Sequence, residues 1–192
     1  MKVEDSALHV LRAFERLGVR HYVGGSLASS LHGDPRFTND ADIVAQLFEM
    51  HVGKLQKALG DRFYVDEESV RFAIREERSF NLVDEIELAK VDVFCVRAIG
   101  YQAAALDRVV QMELEAGDPF TIVSVASPAD TILAKLRWYR LGNEISDRQW
   151  ADILGVARTH HGNLELDYLR KWATEQDTLD LLERLLIQSS TP

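Results

Sequence analysis

Apolar residues fall near helical spacing over residues 4–17, where Leu8, Leu11, Phe14 and Leu17 mark one face and Gly18 is placed to end the helix. A short apolar strand follows at His21-Tyr22-Val23. Gly24-Gly25 breaks it, and Ser26 is placed to cap a brief helix that runs through Leu31 and stops at His32-Gly33. After a loop at 34–37, residues 39–45 read as a strand, and a helix over 47–59 ends at Gly60. Residues 61–84 carry a weaker pattern, with a helix over 69–75 and a strand over 80–83. The stretch from Ile86 to Val96 is clearer, because Val91, Val93 and Cys95 alternate with Asp92 and Phe94 as a strand requires. A helix over 101–115 and a strand over 120–125 come next.

Beyond Ser127 the pattern is wholly helical. Ser127-Pro128-Ala129-Asp130 supplies a cap, a proline at the first helical position and an acidic residue at the third, which predicts a helix over 128–141. Ser146 begins the same pattern for a helix through 159, and helices over 165–175 and 177–187 finish the chain. An α/β half followed by a helical half predicts the α+β class, with a mixed sheet flanked by helices in residues 1–126 and a helical region in 127–192.

Composition narrows the setting. The chain has 192 residues, 46% of them hydrophobic and 28% charged, which is a globular balance. No apolar run approaches the ~20 residues that span a bilayer, and the first residues lack the apolar stretch of a signal peptide. Cys95 is the one cysteine, so no internal disulfide forms and the cytoplasm is the expected location. The net charge of −9 comes from 31 acidic against 22 basic residues. Proteins that hold nucleic acid by its phosphates carry basic surfaces, so duplex DNA is not an expected partner.

The chemistry concentrates in three places. Asp40-Ala41-Asp42 sits on a strand, where positions two apart face the same side. Two carboxylates so close repel unless a divalent cation lies between them, although a solvated pair is the commoner meaning of such spacing. Upstream, Gly24-Gly25-Ser26 joins a strand to a short helix. Glycine there serves either the dihedrals of the turn or the close approach of a phosphate to free N–H groups. Asp92 lies between Val91 and Val93, either as a ligand or as a carboxylate facing water at a sheet edge. His160-His161 invites a metal reading, but it adjoins Gly162 at an expected helix end, and neighbours on a helix do not face one site.

Taken together, Tyr22-Val23-Gly24-Gly25-Ser26, Arg36-Phe37-Thr38-Asn39-Asp40-Ala41-Asp42-Ile43 and Val91-Asp92-Val93-Phe94 resemble the polymerase-β-type nucleotidyltransferase superfamily. The Arg-x-Thr-x-Asp-x-Asp form looks most like its toxin-type, AbiEii-like branch and that branch's small relatives. The resemblance implies a nucleotidyltransferase fold and transfer of a nucleoside monophosphate from an NTP such as ATP, with Mg²⁺ or Mn²⁺ held by Asp40, Asp42 and Asp92. It implies phosphate contacts from Gly24, Gly25, Ser26, Arg36 and Thr38. Lys135 and Arg137 resemble the segment that faces the triphosphate in that branch, and Asp152 resembles its late aspartate. Read from the residues alone, Lys135 and Arg137 are equally solvent-facing helix charges, and Asp152 is equally a partner of Arg148 four residues earlier. Asp84 and Glu87 stand next in line for the third carboxylate. The acceptor is an RNA end, a protein side chain or a small molecule. The alternative is a non-catalytic binding module, or one half of a toxin–antitoxin pair with a cognate antitoxin as partner. A phosphodiesterase using the same aspartates would bring histidines near them, and the six here are scattered elsewhere.

Overall fold

A computed structural model of the protein describes residues 2–115 and 118–190. The fold is α+β, a mixed seven-stranded sheet flanked by helices and a C-terminal helical region. The chain divides into two compact units, Met1–Gly24 with Phe37–Val125, and Gly25–Arg36 with Ala126–Pro192.

The first unit holds the sheet. Its strands are β1 (His21–Val23), β2 (Asp40–Ala45), β3 (Phe63–Tyr64), β4 (Ser79–Asp84), β5 (Ala89–Cys95), β6 (Val110–Glu113) and β7 (Ile122–Val125), in the order β3-β4-β5-β2-β1-β7-β6. The β2–β5 and β1–β7 pairs are parallel and the other four are antiparallel. Helices α1 (Lys2–Leu17), α3 (Glu49–Leu59), α4 (Glu67–Glu76) and α5 (Tyr101–Asp107) belong to the same unit. Helix α1 packs on β2 and β5 and against α3. Strict alternation gives the sheet one apolar face, with Ala41, Ile43, Ala45, Leu82, Val91, Val93 and Cys95 buried. The residues between them on β2 and β5 are half-buried or, for Asp40, exposed.

The apolar stripe of α1 is Val3, Ala7, Val10, Leu11 and Phe14, all buried, while the expected face residues Leu8 and Leu17 sit at its margin. Gly18 does end the helix, at φ 67 with the Val19 N–H returning to the Phe14 carbonyl at 3.0 Å. Two further expectations are corrected. The helix expected over 101–115 ends at Asp107, and Val110–Glu113 instead pairs antiparallel with β7, because its alternation is satisfied by an edge of the sheet. The strand expected from Ile86 begins at Ala89, since residues 85–88 form a turn in which Leu88 takes φ 52.

The second unit is helical: α2 (Gly25–His32), α6 (Pro128–Leu141), α7 (Asp147–Thr159), α8 (Leu166–Glu175) and α9 (Leu179–Ser189). The caps predicted at Ser127 and Ser146 are present, since their hydroxyls accept from the N–H groups of Asp130 and Gln149, whereas Ser26, expected as a cap, lies inside α2, which begins at Gly25. Ile132, Leu133, Leu136, Ile153, Val156, Leu169, Leu182 and Leu185 form its core. A Cβ on Gly33 would lie 2.7 Å from the Val156 nitrogen, and one on Gly155 would lie 2.8 Å from the Asp34 carboxylate. The segment after α2 therefore lies backbone-to-backbone against α7, which only glycine permits.

Candidate active site

Strands β2 and β5 position the carboxylates. Their parallel register sets Asp40 opposite Lys90 and Asp42 opposite Asp92. Side chains at these positions leave the sheet on the face turned away from Ala41, Ile43, Val91 and Val93, so the three aspartates share one face. Asp40 is exposed and Asp42 and Asp92 are half-buried. The Lys90 ammonium lies 2.8 Å from Oδ2 of Asp92. Oδ1 of Asp92 is buried with no hydrogen-bond partner. The hydrogen bond to Asp92 holds the Lys90 pKa above the ordinary lysine value against the opposing effect of burial, and attraction from Asp92, Asp40 and Asp42 adds to it. Lys90 carries no motif signal, although its spacing of two from Asp92 places it on the same face.

The donor set is the one a hard divalent cation takes, namely carboxylate oxygens on a rigid element. The orphaned Oδ1 of Asp92 is an acceptor that such an ion would satisfy. Among the described residues, no three or more His, Cys, Asp or Glu side chains stand close enough to enclose a metal ion. The carboxylate face instead has a lysine as its near cation.

The glycine turn lies at the end of β1. The Gly24 N–H donates to the Asp42 carbonyl at 2.8 Å, which ties the turn to the carboxylate strand. Gly24 itself has room for a Cβ at ordinary contact distance, whereas Gly25 takes φ 53 and needs glycine. Thr38 is buried, and its hydroxyl donates to the Asp40 carbonyl at 3.1 Å, fixing the entry to β2.

The helical unit gathers Ser26, Arg36, Lys135 and Asp152. Arg36 donates from Nε and Nη2 to the two oxygens of Asp152, each at 2.7 Å, and from Nη2 to the Ser26 hydroxyl at 2.7 Å. Lys135 Nζ donates to Asp152 Oδ2 at 2.8 Å. Asp152 thus pairs with Arg36 and Lys135, the first of them distant in sequence, rather than with Arg148. Burial works to raise the Asp152 pKa, but the hydrogen bonds from Arg36 and Lys135 outweigh it and hold the carboxyl below its usual range. The tight crossing at Gly33 and Gly155 brings Arg36 to α7. Lys135 is buried and Arg137 is exposed on α6, so the two basic residues expected to act together face different ways. His160 closes the C-terminal end of α7 and lies edge-on to His32 with ring centres 5.5 Å apart.

Asp84, the reserve candidate for the third carboxylate, is fully buried on the opposite sheet face from Asp42 and Asp92. It accepts from Ser6 Oγ at 2.5 Å, Arg62 Nε at 2.8 Å and the N–H groups of Ile86 and Glu87 at 3.0 and 3.1 Å. All its acceptor capacity serves the fold.

No family model and no curated protein match the chain. Among the solved structures that share its fold are two that align along nearly its whole length. One is the solution structure of the antibiotic-resistance factor ANT(2'')-Ia, 13% identical, with 96% of this chain and 97% of that chain aligned at a TM-score of 0.53. The other is the crystal structure of an antigenic nucleotidyltransferase-like protein from Paracoccidioides brasiliensis, 16% identical, with 96% and 92% aligned at a TM-score of 0.52. The likeness is one of fold, and it extends over nearly the whole chain.

Proposed function

We propose that the protein is a metal-dependent nucleotidyltransferase that moves a nucleoside monophosphate from an NTP to an acceptor hydroxyl and releases pyrophosphate. The observation that carries this reading is the in-register pair Asp42–Asp92 beside Asp40, on one face of a parallel ladder. Asp40, Asp42 and Asp92 would hold Mg²⁺ or Mn²⁺. Bound there, the metal supplies Lewis-acid stabilisation of the charged phosphoryl oxygens. Asp92 would help to draw off the acceptor's proton as the acceptor oxygen bonds to the α-phosphorus and the bond to pyrophosphate breaks. Arg36 and Lys135, to which the motif resemblance gives phosphate contacts, meet on Asp152 beside the Ser26 hydroxyl as charge-assisted donors. Gly25, at φ 53, shapes the start of the same helix. The net charge of −9 favours a small molecule or a short RNA end over long nucleic acid as acceptor.

A non-catalytic binding module is the second reading, favoured by the Lys90–Asp92 ion pair on the carboxylate face. One experiment separates the two. The protein is incubated with each NTP labelled at the α-phosphate, Mg²⁺, and in turn total RNA, cell protein and a small-molecule extract. Label on one acceptor class, lost with Asp42→Asn, supports the enzyme. A thermal shift with Mg²⁺–NTP but no labelled acceptor supports the module.

A further inference from the structure

The face that carries Asp40, Asp42 and Asp92 also carries its own cation. Lys90 precedes Asp92 by two along β5 and stands opposite Asp40 across the ladder. Its ammonium reaches Asp92 Oδ2 at 2.8 Å, with the lysine side chain 43% exposed and the aspartate 17%. Three carboxylates on one face, two of them register partners, repel one another, and the Lys90 ammonium offsets part of that charge. A lysine is suited to the task, since its charge sits on a flexible four-carbon stem that can leave without moving the strand.

We propose that Lys90 is a built-in counter-ion that steadies the carboxylate face of the metal-free protein and gives up Asp92 Oδ2 when a divalent cation binds. The proposal rests on the metal-centre reading above. It makes the affinity for metal a competition: the ion must replace the ammonium on Asp92, and the lysine sets how much free metal is needed. The ammonium engages Asp92 Oδ2 and leaves Oδ1 without a hydrogen-bond partner.

The test measures Mn²⁺ binding by the electron paramagnetic resonance signal of the free ion, with folding checked by circular dichroism. Lys90→Met is expected to bind Mn²⁺ about tenfold more tightly than wild type, because a competing positive charge beside the site is gone. Without metal the same variant is expected to melt below wild type and to gain more on adding Mn²⁺. Lys90→Arg, which keeps the charge, should bind like wild type. Should Lys90→Met fail to fold, amine acylation of wild-type protein read by mass spectrometry replaces it. Labelling of Lys90 should rise several-fold at saturating Mg²⁺, as the ammonium is released. Equal or weaker Mn²⁺ binding by Lys90→Met, or Lys90 labelling unmoved by Mg²⁺, overturns the counter-ion role and leaves the metal centre standing. Absence of Mn²⁺ binding in every protein overturns both.

Discussion

Asp42 and Asp92 are register partners across the parallel β2–β5 ladder, and their side chains leave the same face of the sheet. Adjacent strands lie about 4.8 Å apart, so these carboxylates repel each other, and the Lys90 ammonium on Asp92 offsets part of that repulsion. The apolar residues on either side of each aspartate hold both strands in place from the opposite face. The strands are therefore not free to slip and relieve the repulsion, because a slip by one residue would turn the whole apolar row outward.

Removing one member of the pair should remove the response to metal. Mg²⁺ or Mn²⁺ with an NTP is expected to raise the melting temperature of the wild type, and Asp42→Ala is expected to abolish that rise. Differential scanning fluorimetry checks this, and an undiminished shift in Asp42→Ala would move the metal elsewhere.

Asp92→Asn keeps the shape of the side chain and removes its charge. Transfer activity is expected to fall on the order of 100-fold, while the melting temperature without metal stays within a few degrees of wild type. Activity close to wild type would strip Asp92 of its role. Asp84 is no substitute, because it is committed to Ser6 and Arg62 on the packed face.

Acid stability should depend on Asp84. Burial works against its ionisation, but hydrogen bonds from Arg62, Ser6 and two backbone N–H groups prevail and lower its pKa from 3.8 to about 2. A carboxyl depressed in the folded state contributes stability that is complete above the unfolded value and is lost as pH falls through the folded one. Urea unfolding between pH 5 and 2 should show the wild type losing about 2 kcal/mol through this group. Asp84→Asn should be less stable at neutral pH and lack that part of the decline. Parallel curves for the two proteins would refute the assignment.

Asp152→Ala leaves the Arg36 and Lys135 cations without their shared carboxylate. A loss of about 3 kcal/mol is expected for breaking a largely buried pair, read from urea unfolding at neutral pH. A loss below 1 kcal/mol would mean that water or another group takes over, and that the cluster contributes little to the helical unit.

The acidic balance bears on partners. Random duplex DNA at about 150 mM salt is expected to show no shift in a gel-mobility titration. Submicromolar binding would reveal a strong basic face and redirect the search for the acceptor towards nucleic acid.

Alternation and capping determined much of this structure without help from distant residues. Residues 40–45 and 89–95 have a period of two with one apolar row each, so their aspartates had to leave the face opposite the core wherever the strands paired. The α6 and α7 caps are local too, since Ser127 and Ser146 reach N–H groups three residues on. Other features depend on partners remote in the chain. Val110–Glu113 reads as a continuation of a helix until β7 offers it an edge, because pairing energy is absent from local sequence. Asp92 and Asp42, 50 positions apart by their numbers, become opposite neighbours only through the register of β2 and β5. The same register reveals Lys90 as their companion. Residues 25–36 belong with the helical unit because glycines 33 and 155 allow the backbone to close on α7, bringing Arg36 to Asp152. Sequence pattern decides which face a side chain leaves; only tertiary packing decides which charges meet there, because long-range pairing is selected by the energy of the whole fold.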